Sequence, residues 1–460
     1  MKDQVSHEFR MDGEIAAVYR EFNEYLQRNR PRIKADLERF ESRAAQSHLL
    51  YAGRPLAVGF YPVILSKVQS LRISAVVESM MRLMEKATRL FLEEPAIRQV
   101  FGFGPEQAEL IRIDPGYENV IPCARFDSFF DGQTLRFTEV NTDGTAGMDG
   151  AEKIAKLFLA APTMREFFSG RPVGVFDINH CVLQTLLDCY EQFAGGKAAP
   201  TPQIAIVDWK EARTCEEFVA FEEFCREQGF EAVVADPREL EYDGRSLSHR
   251  GRRIDIIYRR VVSTEYIERL EEVEAMTRAF KERKVCVVGS FRSDVAFNKK
   301  IFAVVQDSRF AGFFTEDERM LVERHVPWTR PFEDSECEYR GRKTDMIKLA
   351  RRQKDRFVLK PSNLYEGRGV YLGLQKTPSE WEETFAGALK GDYVLQEFIQ
   401  EPSMTIGTWK DDLEMEQRFI HLGEFVFGGK FSGYYCRAAE GPLIDRTSRE
   451  QLVPCIILGS

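Results

Sequence analysis

The segment from Arg125 to Asn141, RFDSFFDGQTLRFTEVN, places one arginine and three oxygen-bearing side chains on what reads as a single β-hairpin. Asp131-Gly132 is a turn signal, flanked by Phe126, Phe129 and Phe130 before it and Leu135, Phe137 and Val140 after it. Residues two apart on a strand share a face, so Arg125 goes with Asp127 and Glu139 goes with Asn141. Whether the two pairs share one face is a question of parity. A regular two-residue turn pairs Phe130 with Gln133 and sends Glu139 to the far side of the sheet. A three-residue loop, Asp131 to Gln133, sets Arg125 opposite Glu139 and Cys123 opposite Asn141, and gathers all four polar side chains together. A five-residue loop, or a two-residue turn corrected by a β-bulge, restores the same parity. Asp127, Glu139 and Asn141 are oxygen ligands with no His or Cys among them, which suits Mg²⁺ held by one or two carboxylates plus substrate phosphates. A surface hairpin with solvated charges explains the segment equally well when it is taken alone.

The chain around it has 460 residues, 43% apolar, 12% aromatic and 30% charged, enough material for two or three globular domains. A net charge of -9 argues against a nucleic-acid or anionic-membrane surface, either of which needs a basic stripe, so small molecules are the expected partners. No apolar run approaches bilayer length, and MKDQVSHEFRMDGE has neither the apolar segment nor the cleavage site of a signal peptide, so a cytoplasmic protein is expected. The nine cysteines form no C-x-x-C pair and the six histidines no H-E-x-x-H, leaving zinc sites and a disulfide framework without support.

Residues 1–110 read as a helical region: Ile15, Val18, Tyr19, Phe22 and Leu26 follow one helical face, and Ile73, Val76, Val77, Met80, Met84, Ala87 and Phe91 follow another. The methionine-bearing stripe reads as core. Residues 111–196 carry the hairpin, then Thr142-Asp143-Gly144-Thr145-Ala146-Gly147, a loop that either lies close to a ligand or is a plain turn before a helix from Ala151. Ala194 to Pro202 is small, flexible and proline-punctuated, and marks a boundary. Residues 203–290 read as an α/β unit, with strands at Ile204 to Val207, Ala232 to Val234 and Ile254 to Tyr258 and a helix at Glu216 to Gln228. Arg259-Arg260, just past a strand end, are placed either to clamp a carboxylate or phosphate or to make an interdomain salt bridge. Residues 291–460 hold Asn298-Lys299 before a helix, the strand Phe357 to Pro361 ending in Lys360, a loop with Gly367 and Gly369, and a strand with Gln396 and Glu397. A lysine, a glycine-bearing loop and a strand suggest a nucleotide cleft, because bare backbone approaches phosphate closely and an ammonium supplies the point charge. The P-loop and dinucleotide patterns themselves are both missed.

Taken together these residues resemble the ATP-grasp ligases, and within them the circularly permuted group that includes the synthetase domain of glutathionylspermidine synthase. The shared pattern is R-x-D at Arg125 and Asp127, E-x-N at Glu139 and Asn141, N-K at Asn298-Lys299, K-P at Lys360-Pro361 before a glycine-bearing loop, Q-E at Gln396-Glu397, and G-x-x-V-x-G-G from Gly423 to Gly429 ahead of Arg437. The resemblance implies an α/β (α+β) ATP-grasp architecture in permuted order, with a helical N-terminal region and a pre-ATP-grasp-like α/β domain at 203–290. It implies an ATP-dependent carboxylate–amine ligase working through an acyl phosphate, with ATP and Mg²⁺ as cofactors. Asp127, Glu139 and Asn141 would hold Mg²⁺, Lys299 and Lys360 would neutralise phosphate charge, and Arg125 and Arg437 would serve the reacting groups. Gln396 and Glu397 would meet adenine, the loop with Gly367 and Gly369 would close over the triphosphate, and Asp143, Arg259 and Arg260 are candidates for substrate contact. The chain departs from glutathionylspermidine synthase in lacking a cysteine amidase domain, and in having Asn141-Thr142-Asp143-Gly144-Thr145 where that enzyme has N-A-D-T-P. Both substrates are left open by the second departure. A phosphotransferase acting on a small acceptor and a non-catalytic ATP-binding protein are the competing readings.

Overall fold

In a computed structural model of the chain, residues 7–409, 411–441 and 449–459 are described, so the first six residues of the stretch read for a signal peptide lie outside the described ones. The pairing that shapes the rest joins sequence-distant segments. The 15-residue strand Leu413–Phe427 pairs antiparallel along one edge with Lys430–Ala439. Along its other edge, residues 413–419 pair with Pro402–Trp409 and residues 422–427 pair with Cys123–Phe130. The hairpin strand Leu135–Asn141 extends the sheet beyond Cys123–Phe130, Glu450–Val453 extends it beyond Lys430–Ala439, and His7–Glu8 lies parallel to Pro402–Trp409 at a third edge.

One face of this sheet is covered by the 27-residue helix Lys67–Glu93, which begins with a capping box between Ser66 and Gln69. Of its expected face Ile73, Val77, Met80, Met84, Ala87 and Phe91 are buried and Val76 half-buried, so the methionine stripe is core. The helix Gly13–Arg28 likewise buries Ile15, Val18, Tyr19, Phe22 and Leu26. Each such side chain contributes roughly 1.5–3 kcal/mol on leaving water.

Two four-stranded sheets accompany the large sheet. Cys286–Val288, Ile256–Arg259, Ile204–Val207 and Ala232–Ala235 form a parallel sheet in that order, whose central strands are buried end to end and therefore read as unbroken apolar runs. Thr329–Pro331, Tyr393–Glu397, Phe357–Pro361 and Tyr371–Leu372 form an antiparallel sheet, backed by the helices Met346–Arg352 and Pro378–Ala388 around a core that includes Phe357, Leu359, Trp381, Phe385 and Leu395.

The hairpin takes none of the loop lengths left open by the sequence, two, three or five residues. Phe130 pairs with Leu135, leaving a four-residue loop, because Asp131 Oδ1 accepts hydrogen bonds from the backbone of Gln133 at 2.9 Å and Thr134 at 2.7 Å and so stabilises the wider turn. An even loop gives the wrong parity. A bulge at Thr138 restores it, with the Thr138 hydroxyl donating to Asp127 O at 3.0 Å. The register beyond the bulge sets Asp127 opposite Glu139 and Arg125 opposite Asn141, in place of the expected pairs Arg125 with Glu139 and Cys123 with Asn141.

Gly132 sits at φ +94 under the N-terminal segment, whose Arg10 N–H donates to Asp131 O at 2.7 Å; a Cβ at Gly132 would lie 1.8 Å from Arg10 O. Gly132→Ala is therefore expected to lower stability by about 1–3 kcal/mol from backbone strain alone, read as a fall in the urea midpoint, with more lost if the segment detaches. An unchanged midpoint would contradict this packing.

Candidate active site

The pairing gives the large sheet one polar face. Glu139 and Asn141 lie on the hairpin's outer strand, Asp127 and Arg125 beside them, then Gly423 and His421, then Tyr435 and Arg437, with Asp127 opposite Gly423 and His421 opposite Arg437 in register. Gly423 leaves the room that Arg125 occupies: a Cβ there would sit 2.9 Å from Arg125 Cδ. The Arg125 guanidinium lies over the Tyr435 ring at 5.1 Å, donates from Nε to Asp127 Oδ1 at 2.7 Å, and donates from Nη1 to Ala146 O at 2.7 Å. Arg437 Nη2 reaches the other oxygen of Asp127 at 3.2 Å.

Two lysines meet this face from elsewhere. Lys299, between the short helices Ser293–Phe297 and Lys300–Val305, places Nζ 3.3 Å from Glu139 Oε2 and donates to Leu364 O at 2.9 Å. Lys360, on the strand Phe357–Pro361 of the antiparallel sheet, donates to Thr138 O in the bulge at 3.3 Å. Both are buried.

Burial pushes the Asp127 carboxyl up, but Arg125 and Arg437 outweigh it and hold the group below the usual carboxylate range. For Glu139 burial is outweighed in the same way by Lys299 and Lys360, against the opposing charge of Asp127. Burial brings the Lys360 ammonium down to about 8, with Glu139 holding it up and Lys299 adding to the fall. Four cations thus face Asp127 and Glu139, and Arg437 also lies 3.5 Å from Glu450. Near them are buried polar atoms without a hydrogen-bond partner: Arg437 Nε and His421 Nε2 on the sheet, and Asn298 Nδ2 and Ser362 Oγ beside Lys299. Each unpaired buried group costs about 1–3 kcal/mol. A cluster of unpaired donors beside these cations is what an acceptor-rich anion would satisfy.

No group of three His, Cys, Asp or Glu side chains able to hold a metal occurs among the described residues. Asp127 and Glu139 are a cross-strand carboxylate pair with Asn141 on the same face, so a hard cation here would take its remaining oxygens from a ligand, which fits Mg²⁺ on phosphate.

The glycine-bearing loop lies against the end of the Lys360 strand. Gly367 and Gly369 have φ of +63 and +68, and a Cβ at Gly369 would be 2.9 Å from Pro361 Cγ. Glu366 in this loop accepts from Tyr51 and pairs with Arg213 at 3.3 Å, and Tyr365 donates to Glu265. Gln396 is buried with Nε2 on Thr329 Oγ1 at 3.0 Å, while Glu397 accepts from Tyr339 at 2.6 Å and pairs with Arg340 at 3.0 Å.

Arg259 and Asp143 are brought together as each other's partners, while Arg260 is held by other groups. Arg259 pairs with Asp143 at 2.7 Å, both fully buried, and Asp143 also accepts from Ser263 N at 2.7 Å. Arg260 donates to Thr145 O and to Tyr258 Oη at 3.0 Å and lies 3.5 Å from Glu217. This is the salt-bridge arrangement that the sequence leaves open beside a ligand clamp. It fixes the loop of residues 142–147, whose Ala146 carbonyl holds Arg125.

His421, Tyr435 and Arg136 were not found from the sequence. The available signal was period-two spacing: His421 is two residues before Gly423, and Tyr435 two before Arg437, so each shares its neighbour's face.

No protein-family model matches the chain, and no curated protein matches it in sequence. Among solved structures it is similar to a glutathione synthetase-like effector, GSS30, from Globodera pallida in its apo form, with a TM-score of 0.58 and 12% identity over 97% of this chain and 98% of that one. A putative gamma-glutamylcysteine synthetase from Methylobacillus flagellatus gives a TM-score of 0.35 at 11% identity, covering 80% of this chain and 84% of that one. D-cycloserine synthetase DcsG gives 0.30 at 16% identity, covering 52% and 75%. The fold is a mixed helix-and-sheet architecture, shared along nearly the whole chain with the effector. No helix among the described residues is long and apolar enough to cross a membrane.

Near Arg260, Asp208 follows the strand Ile204–Val207. Burial raises its carboxyl to about 7, against its own bond from Trp209 N and the nearby Arg260. A carboxyl whose folded value lies above its unfolded one binds the extra proton in the folded state. Its contribution is therefore fully present below about pH 4 and is lost as pH rises through about 7. Asp208→Asn should flatten the decline in stability between pH 4 and 7, measured by urea unfolding at several pH values; a parallel decline in both proteins would contradict the assignment.

Proposed function

We propose that this chain is an ATP-dependent, ADP-forming carboxylate–amine ligase of the ATP-grasp type, joining its substrates through an acyl phosphate. The observation that carries the reading is the convergence of Arg125, Arg437, Lys299 and Lys360, with unpartnered buried donors, around one cross-strand carboxylate pair. The order of the motifs, hairpin before lysines, supports a permuted ATP-grasp chain similar to the synthetase of glutathionylspermidine synthase, with residues 203–290 as the pre-ATP-grasp-like unit.

In this mechanism Lys299 and Lys360 bind the phosphates from two different elements, and their charge offsets the repulsion of an incoming carboxylate. Asp127 and Glu139, with Asn141, would hold Mg²⁺, which supplies charge neutralisation on the phosphates. Arg125 is aligned by Tyr435, Asp127 and the Ala146 carbonyl, which engage all three of its nitrogens, so its positive charge is preorganised for charge that develops as the acyl group transfers. The loop with Gly367 and Gly369 excludes water from the acyl phosphate. Gln396 and Glu397 flank the base, and Asp143, Arg259 and Arg260 shape the acceptor side through the 142–147 loop.

Measuring ADP release with amino acids, short peptides and polyamines, singly and in pairs, tests the reading. Release that requires a carboxylate and an amine together is expected; release with one hydroxyl or carboxylate acceptor alone would make the chain a phosphotransferase, and no ATP binding would remove the reading altogether. Lys299→Ala and Lys360→Ala should each raise the Kd for ATP about tenfold or more, roughly 1.5 kcal/mol, with unchanged affinity in both contradicting the cleft. Arg125→Ala should leave ATP affinity within a few fold and abolish amide formation, because a group serving the transition state adds little to ground-state binding. Equal losses in both would assign Arg125 to binding.

A further inference from the structure

His421 is a polar side chain that the binding scheme above leaves unused. It lies on the strand Leu413–Phe427, 6% exposed, opposite Arg437 and against the Phe129 ring at 5.2 Å between centroids. Arg437 Nη2 bonds to His421 Nδ1 and also to Asp127 Oδ2 at 3.2 Å. A guanidinium has donors and no acceptor, so the imidazole must present the lone pair of Nδ1 to it. The single proton of the neutral ring is then on Nε2, and that N–H is buried without a partner.

The surroundings keep the ring neutral. Burial disfavours the imidazolium first, then Arg437 and Arg125; Glu139 opposes them and Lys360 adds to the fall. Arg136 Nε and Arg437 Nε are also unpartnered, and Arg136 stands opposite Phe129 across the hairpin. A buried N–H held beside the open Nε of Arg437 calls for an anionic oxygen.

We propose that His421, fixed by Arg437 as the Nε2–H tautomer, is a catalytic residue that donates a neutral hydrogen bond to an oxygen of the phosphoryl group being transferred. The step rests on the ligase reading above and adds no proton transfer: the Nε2 proton stays on the ring while the bond from the γ-phosphorus to the β-bridging oxygen breaks and the bond to the substrate carboxylate oxygen forms. A neutral donor serves because it stabilises charge on that oxygen without delivering a proton to it.

The test uses the full-length chain labelled with ¹⁵N-histidine, with the His421 signals identified from His421→Gln. Nε2 should be protonated and Nδ1 bare throughout pH 6 to 8, and the Nε2–H signal should move on adding MgADP with orthovanadate. A protonated Nδ1, a ring that titrates near pH 6.5, or an Nε2–H signal unmoved while calorimetry shows the nucleotide bound would overturn the proposal. Calorimetry showing no nucleotide binding overturns the ligase reading and the donor role together, and is thereby told apart from a wrong tautomer. In turnover, His421→Leu should lower kcat by about a hundredfold with the Kd for ATP within about threefold, and His421→Gln, which keeps an N–H at the Nε2 position, should recover most of the loss. A leucine variant with wild-type kcat, or a glutamine variant as slow as leucine while equally stable and equally able to bind ATP, would contradict it.

Discussion

The antiparallel pairing of Cys123–Phe130 with residues 422–427 is the constraint on which the rest depends, since it brings Arg125 and Asp127 onto the same sheet as His421 and Arg437 from nearly 300 residues away in sequence. Pairing alone is insufficient. A side-chain period of two makes one residue of slippage fatal to a shared face, and the bulge at Thr138 supplies the extra residue that turns Glu139 toward Asp127. The same bulge exposes the Thr138 carbonyl that Lys360 reaches, so one local irregularity both sets the carboxylate pair and receives a lysine from the antiparallel sheet.

That concentration of charge is held at a cost. Removing two carboxylates and four cations from water is unfavourable unless each finds a partner, and here the partners are shared: Asp127 serves two arginines, and Glu139 serves Lys299 with Lys360 nearby. The open N–H groups of Arg437 and His421 leave the balance incomplete. A surface hairpin with solvated charges would have no reason to bury them. The buried Asp143–Arg259 pair, by contrast, is closed on itself and acts through the loop it fixes.

Much of this was legible in the sequence because it depends on local periodicity. The apolar stripes from Ile15 and Ile73 identified two buried helical faces, short runs such as Ile204 to Val207 identified strands, and the spaced polar motifs identified Arg125, Asp127, Glu139, Lys299 and Lys360, which the fold brings together. The shared face of Asp127, Glu139 and Asn141 follows from parity, but the loop length does not, because Asp131-Gly132 signals a turn without fixing its length; four residues are selected by two backbone bonds to the Asp131 carboxylate. His421 was missed for a different reason. Its significance comes from Arg437 on the neighbouring strand and from burial, and neither register nor burial is written in a single histidine. Arg259 and Arg260 were placed at the correct strand end, but their partners, Asp143 and Glu217, are set by tertiary contacts alone.

The central claim is that one phosphate-binding cleft lies between the hairpin face and the two lysines. Crystals of the chain with MnADP test it most directly, because anomalous scattering locates the ion independently of the protein. The result expected is a manganese peak bonded to Asp127 and Glu139, with the diphosphate within hydrogen-bonding distance of Lys299 and Lys360. A peak and nucleotide elsewhere on the chain, with Asp127 still bound only by Arg125 and Arg437, would contradict it.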